Sequence, residues 1–251
     1  MQPSRRKKKM SVPAEMQIGD PEWNQLIVNG AETLGVQVSA FQVAQFGIHI
    51  RELLLWNRKT NLTAITLPSE VAIKHVVDSL ALALWIPPEA SVLDVGSGGG
   101  FPGIPLKILM PSLSVTLIDS SRKKNSFQRH IIRTLGLVNI AAWQTRVESL
   151  SVNPDCFREG GLNAFSVIVC RAFTDLAHFV EMAMPLLAPA GTIIAMKGKI
   201  NSEELADVSS LISRLSHAGA VLQPRTIYYN LPFLGAERCL YILAAKGALL
   251  S

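Results

Sequence analysis

The chain has 251 residues, of which 49% are hydrophobic and 17% are charged. This balance excludes a disordered chain and predicts one large folded domain with room for a small appendage. A formal net charge of +5 favours an anionic partner such as nucleic acid, and no apolar run approaches the roughly 20 residues that span a membrane.

The first segment, residues 1–20, is predicted to be a basic flexible tail. It carries five cations from Arg5 to Lys9 but no apolar stretch behind them, so it is not a secretory signal. Residues 21–88 lack strand alternation and predict a helical appendage. Ser39 is a good N-cap for its second helix, and Pro68 opens its third helix.

Three polar residues lie at three- and four-residue spacing on the third predicted helix: Lys74, His75 and Asp78. They are open to two interpretations. One is an ion pair on the protein surface, and the other is a place near the mouth of a substrate site.

From residue 89 to residue 251, strands and helices alternate, which predicts a doubly wound, mostly parallel sheet. Two final runs separated by Pro232 and Gly235 predict a C-terminal antiparallel hairpin. The predicted strands are Val92–Val95, Ser114–Ile118, Val138–Trp143, Phe165–Cys170, Gly191–Met196, Val221–Tyr229 and Arg238–Ala245.

The glycine-rich segment after the first strand predicts a ligand site in which bare backbone approaches the ligand. Gly98-x-Gly100-x-x-Gly103 matches the dinucleotide fingerprint. Gly96-x-Gly98-x-Gly100, with Asp94 two residues earlier, instead matches the first motif of S-adenosylmethionine (SAM) methyltransferases. An acid at this position suits an ammonium and a sulfonium and would repel a pyrophosphate, so SAM is favoured and NAD stays open.

Further candidates follow the other strands, because ligands bind outside the carboxyl ends of a parallel sheet. Asp119, at the end of the second strand, suits the ribose hydroxyls of either SAM or NAD. Val147 and Glu148, in the predicted loop after the third strand, are candidates for the adenine edge. Arg171 and Lys197 end the fourth and fifth strands, where a cation can hold RNA phosphate or a base.

Several motifs occur together in a fixed order, and together they resemble one family. They are Asn61-Leu-Thr63, His75-Val-Val-Asp-Ser79, Leu93-Asp-Val-Gly-Ser-Gly-Gly-Gly-Phe-Pro-Gly-Ile-Pro105, Asp119-Ser120, Arg171-Ala-Phe173 and Lys197-Gly198. The series is similar to the RsmG (GidB) family of bacterial 16S ribosomal RNA guanine-N7 methyltransferases, from about residue 25 to the C-terminus.

The resemblance implies a Rossmann-like methyltransferase fold, SAM as cofactor, and a target at N7 of guanosine 527 in the 530 loop of 16S RNA. The implied partner is that RNA, the small ribosomal subunit or its assembly intermediate, and the implied state is a monomer. Matched family positions imply SAM contacts at Gly96, Phe101, Val147, Glu148 and Arg171, with further roles for Asp119 and Lys197. The basic residues 1–20 lie outside the family pattern.

Methyl transfer to guanine N7 needs no general base, because this ring nitrogen has a free lone pair and no proton to lose. Holding two reactants in line contributes about 7–11 kcal/mol, so we expect positioning by Arg171 and Lys197. The five histidines and three cysteines (Cys156, Cys170 and Cys239) have no metal spacing, so no metal is expected. Free cysteines favour a cytoplasmic location.

Other functions make different predictions. A SAM methyltransferase acting on another RNA or on a small molecule is the nearest alternative. An NAD-dependent oxidoreductase would need a separate substrate domain, and the remaining chain is too short for one. A non-catalytic RNA-binding module would be expected to lose the glycines or Asp119, and both are present.

Overall fold

A seven-stranded sheet forms the centre of the protein, in the strand order β3-β2-β1-β4-β5-β7-β6. The computed structural model describes residues 16–152, 165–171, 175–217 and 222–245, so the predictions for residues 1–15, Cys156 and Phe173 lie outside it. The strands are β1 (Ser91–Val95), β2 (Ser114–Asp119), β3 (Ile140–Gln144), β4 (Phe165–Arg171), β5 (Leu187–Lys197), β6 (Leu222–Asn230) and β7 (Glu237–Ala245).

Helices cover the sheet and precede it. They are α1 (Pro21–Thr33), α2 (Ala40–Thr60), α3 (α-helical over Pro68–Val71 and continuing to Trp85), α4 (Gly103–Leu109), α5 (Arg122–Thr134), α6 (Val147–Val152), α7 (Leu176–Ala183, followed by a 3₁₀ turn at Met184–Leu186) and α8 (Ser202–His217). The predicted N-cap at Ser39 is confirmed, because its side chain accepts a hydrogen bond from the Gln42 amide.

Strands β1 to β5 are parallel, and β7 pairs antiparallel with both β5 and β6. The predicted α/β class with a C-terminal hairpin is therefore confirmed. β1 is apolar along most of its length because it is central: Val92 pairs with Val115 on one side and Val167 on the other.

Two strand boundaries differ from the prediction by more than one residue. β3 begins at Ile140 because Val138 is 71% exposed and Asn139 has a left-handed φ of 53°, so both belong to the preceding turn. β5 begins earlier than expected, at Leu187, which pairs with Phe165 across a register shift.

The N-terminal helices share a hydrophobic core with the sheet. Trp23 and Phe46 are fully buried in the same cluster as Leu106 and Phe127. Residues 16–20 join this packing, since Met16 is buried and the Arg51 guanidinium donates to the Ile18 carbonyl at 3.0 Å. The division into a tail, an appendage and a SAM domain stays a prediction.

Helix α3 changes pitch along its length, which apolar spacing did not predict. It is π-helical over Ala72–Val77, α-helical over Asp78–Leu80 and 3₁₀ over Ala81–Trp85. Short π segments are rare and often occur at functional sites.

Two features are absent from the residues that the structure describes, a membrane-spanning helix and a cluster of metal ligands. No helix there is long and apolar enough to cross a membrane. No group of three or more potential metal ligands is found there either.

Candidate functional site

The order of the strands reverses between β1 and β4, and the carboxyl edge at such a point is where α/β sheets hold ligands. Two cavities lie at this edge. The first cavity, of about 350 Å³, includes Gly96, Asp119, Val147 and Glu148 in its lining. The second cavity, of about 400 Å³, is lined by residues including His75, Asp78, Arg171, Lys197 and Arg238.

The first cavity brings together four of the residues that the sequence singled out, from the ends of three neighbouring strands. Val147 and Glu148 lie in the first turn of α6 rather than in the expected loop. Sequence reasoning assigned no ligand contact to the other lining residues, of which four are polar: Ser120, Lys124, Thr145 and Arg146. Their position in the sequence could have identified them, because each lies within five residues of a candidate already chosen.

Asp119 organises the floor of the first cavity. One carboxylate oxygen accepts a hydrogen bond from the Gly98 amide at 3.0 Å, and the other accepts one from the Ser121 amide at 2.8 Å. Lys124 Nζ lies 3.6 Å from the same carboxylate. The side chain therefore ties the glycine segment to the start of α5 while it faces the cavity.

Gly96 leaves the wall of the first cavity open. Its φ is +71°, a left-handed conformation that other residues adopt at a cost, and a Cβ placed there would meet no atom within 4 Å. A side chain at this position would project into free space beside Asp119 and Val147.

Asp94 does not line either cavity. It is fully buried, and its Oδ2 accepts a hydrogen bond from the Gly103 amide at 2.9 Å, while its Oδ1 has no hydrogen-bond partner among the described residues. A Cβ at Gly103 would lie 2.8 Å from Asp94 Oδ2, so only glycine allows the backbone to come this close to the Asp94 carboxylate. The carboxylate thus holds the turn between β1 and α4, and burial raises its pKa to about 7.

Phe101 connects the glycine segment to the second cavity. Its ring stacks between His49 and His75, with ring centroids 4.7 Å away on each side. The guanidinium carbon of Arg171 lies 5.0 Å from the centroid of the Phe101 ring. The ring is buried, and its contact with SAM stays a prediction.

The proton of His75 can be assigned from its partners. Arg171 donates from Nη2 to His75 Nδ1 at 3.2 Å, and a guanidinium is only a donor, so Nδ1 carries no proton. His75 Nε2 therefore donates to Thr63 Oγ1 at 2.8 Å. Burial, aided by the positive charge of Arg171, lowers the pKa of His75 to about 3, so the ring is neutral.

The second cavity is rich in cations. Lys74 pairs with Glu70 at 2.7 Å, Lys197 pairs with Glu204, and Arg171 donates to the Lys74 carbonyl at 3.2 Å. Lys74 does not pair with Asp78, so a surface ion pair between them is wrong. Asp78 is instead buried and lines the second cavity, and a place near the mouth of a substrate site stays a prediction.

His49 is expected to make the fold sensitive to acid. Burial lowers its pKa to about 4, and its Nε2 donates to the Gly99 carbonyl at 2.8 Å. Above pH 6.5 the ring is neutral in both states and contributes no pH dependence. Below pH 6.5 only the unfolded chain gains the proton, so stability falls until the folded pKa is reached.

Replacing His49 with glutamine removes this titration while leaving an amide to donate to Gly99. Between pH 7 and pH 4.5, we expect wild type to lose about 2 to 3 kcal/mol more unfolding free energy than His49→Gln does. Urea unfolding at both pH values measures this. Equal losses in the two proteins would contradict a neutral, buried His49.

Comparison with known proteins decides the family. The family model described as "rRNA small subunit methyltransferase G" matches residues 42–221. The chain belongs to this family. The predicted resemblance to RsmG is therefore confirmed.

Relatives named "Ribosomal RNA small subunit methyltransferase G" support the assignment to the methyltransferase G family. The one from Geobacter metallireducens is 43% identical over 91% of this chain and 99% of that protein. The one from Myxococcus xanthus is 37% identical over 86% of this chain and 94% of that protein.

A solved structure shows that the fold is shared beyond the methyltransferase G family. An O-methyltransferase from Bacillus cereus, crystallised in complex with SAH, is 16% identical and aligns with a TM-score of 0.54 over 87% of this chain and 96% of that chain. The seven-stranded architecture is thus a methyltransferase fold.

Proposed function

We propose that this protein transfers a methyl group from SAM to N7 of a guanine in 16S ribosomal RNA. The RsmG resemblance implies that this guanine is guanosine 527. The observation that carries the proposal is the family match, which covers the whole lining of the first cavity and all of the second cavity's lining except Arg238. The relatives carry ribosomal RNA and the small subunit in their names.

The residues of the first cavity fit an adenosyl group. Asp119 presents a carboxylate to the cavity, Gly96 leaves open space where a side chain would stand, and Val147 adds an apolar wall beside them. Glu148 adds a second acceptor. Bound SAM would supply a methyl group activated by its sulfonium, and Gly98 would hold the segment beneath it through the Asp119 bond.

The protein's own part in the reaction is positioning. His75 is neutral, but its free lone pair already accepts from Arg171, so it is no general base. That fits guanine N7, which has no proton to lose. Arg171 and Lys197 lie at the ends of neighbouring strands and line the second cavity, where their charge would attract the RNA backbone.

The target guanine has to leave any helix. The major groove of A-form RNA, where N7 lies, is too narrow and deep for side chains to read. We therefore propose that the base enters the second cavity unstacked, as in other enzymes that modify bases.

Transfer of a labelled methyl group tests this function. The substrate is 16S RNA that lacks the modification, offered free and in partly assembled small subunits, and the labelled nucleoside is identified by mass spectrometry. We expect 7-methylguanosine. RNA carrying 7-deazaguanosine at the target keeps the shape but lacks the nucleophile and is expected to receive no label. A different methylated nucleoside would contradict the proposal.

Lys197→Ala is expected to separate RNA methylation from cofactor binding. The ammonium lines the second cavity and not the first, so its loss should lower kcat/KM for RNA by roughly 10-fold and leave SAM affinity within about twofold. Titration calorimetry with SAM and the labelled assay measure the two effects. Lys199→Ala is the control, because that side chain is 81% exposed. Equal losses in both measurements would refute this role.

We propose that the acting unit is a monomer, since one chain supplies the lining of both cavities. A cytoplasmic location is proposed because ribosomal RNA is made and assembled there. Sedimentation of the active enzyme with and without RNA checks the first point.

A further inference from the structure

Among the described residues that line the second cavity, one is an acid. Asp78 has a side chain only 7% exposed, yet it lines the cavity together with Lys74, Arg171, Lys197 and Arg238. A carboxylate there repels RNA phosphate, so attraction of the backbone does not explain its presence.

The two oxygens of Asp78 differ in their surroundings. Oδ1 accepts a hydrogen bond from the Tyr229 hydroxyl at 2.8 Å and lies 3.7 Å from Arg238 Nε. Among the described residues, the hydrogen bond and the ion pair of Asp78 both go to Oδ1. Oδ2 remains accessible at the wall of the second cavity, where a ligand can supply a donor.

Tyr229 and Arg238 fix the orientation of this carboxylate. They lie on the two strands of the C-terminal hairpin, where Tyr229 pairs directly with Arg238, and Asp78 follows the π-helical turn of α3. Charge from Arg171 and Arg238 and the Tyr229 hydroxyl favour the ionised form and oppose the rise in pKa that burial causes. The acceptor is therefore held rigidly.

We propose that Asp78 selects guanine by accepting hydrogen bonds from its N1–H and its exocyclic amino group. Guanine carries these two donors on its Watson–Crick edge, away from N7, whereas adenine has an acceptor at N1. One carboxylate matches both donors, with Oδ2 free and Oδ1 retaining a lone pair. This specificity role rests on the proposed function and assigns the base edge that the second cavity recognises.

Inosine at the target position tests the role directly, because it keeps N7 and N1–H but lacks the amino group. For wild type we expect kcat/KM for guanosine to exceed that for inosine by at least about 10-fold. The reason is that inosine loses one hydrogen bond to a charged acceptor. In Asp78→Asn the guanosine preference should shrink to under about 3-fold, while SAM affinity by calorimetry stays within about twofold. Asp207→Asn, an exposed acid on α8, should behave as wild type.

Tyr229→Phe supplies a second measurement should Asp78→Asn fold poorly. It keeps the ring but releases Oδ1, so the guanosine preference should fall by roughly 2- to 5-fold. A preference that stays the same in both variants as in wild type would overturn the role of Asp78, and so would a loss of SAM affinity equal to the loss of activity. Failure of wild type to methylate the guanosine RNA would overturn the proposed function itself.

Discussion

Replacing Asp119 by alanine is expected to weaken SAM binding by at least about 100-fold. Two contributions are lost together. A carboxylate that accepts hydrogen bonds from the ribose hydroxyls contributes about 1.5–3 kcal/mol for each bond. The same substitution also releases the amides of Gly98 and Ser121, which Asp119 now holds at 3.0 and 2.8 Å.

Asparagine at the same position separates these contributions. Its amide oxygen can keep one backbone bond, but its NH₂ group faces the other donor, so we expect a loss intermediate between wild type and Asp119→Ala. Titration calorimetry with SAM measures all three proteins, and thermal unfolding reports whether each is folded at the assay temperature. Asp207→Ala, on the exposed face of α8, is the matched control. SAM affinity unchanged in Asp119→Ala would remove the adenosyl assignment of the first cavity.

The strand ends were predictable from the sequence because the order of elements fixes them. Parallel strands joined by helices bring their carboxyl ends to one edge, so Asp119, Val147 and Arg171 were expected along the same edge of the sheet. The structure confirms that arrangement of the sheet.

The direction of individual side chains was not predictable in the same way. Asp94 was expected to face the ligand, but it turns toward the Gly103 amide because the glycine segment folds back over it. The path of that segment depends on left-handed residues such as Gly96 and Gly98, whose conformation no pattern of apolar residues reports.

Contacts between distant segments were the least accessible to sequence reasoning. Asp78 and Tyr229 are 151 positions apart and meet only because the C-terminal hairpin returns beside α3. Periodicity identified α3 as a helix but gave no sign of its π-helical turn.

Arg171→Gln is expected to lower kcat/KM for RNA methylation on the order of 100-fold, the loss that a small misplacement of reacting groups produces. The guanidinium donates to His75 and to the Lys74 carbonyl and lies above the Phe101 ring, so it joins α3 to the glycine segment. Glutamine fills similar space without the charge. Arg171→Lys keeps the charge but cannot reproduce the planar contacts, so we expect an intermediate loss. Arg214→Gln, an exposed substitution on α8, should retain full activity.

The same substitution should change how stability depends on pH, which a purely steric role would not. Asp94 has a folded pKa of about 7, above its ordinary value of 3.8, so its contribution to stability is present at low pH and lost as pH rises toward 7. Arg171 opposes that rise by attracting the ionised form of Asp94. Without Arg171 the folded pKa of Asp94 moves higher, and the loss of stability continues past pH 7. Urea unfolding at pH 6 and pH 8.5 should therefore show a larger penalty for Arg171→Gln at the higher pH. A penalty independent of pH would mean that Arg171 acts only by filling space.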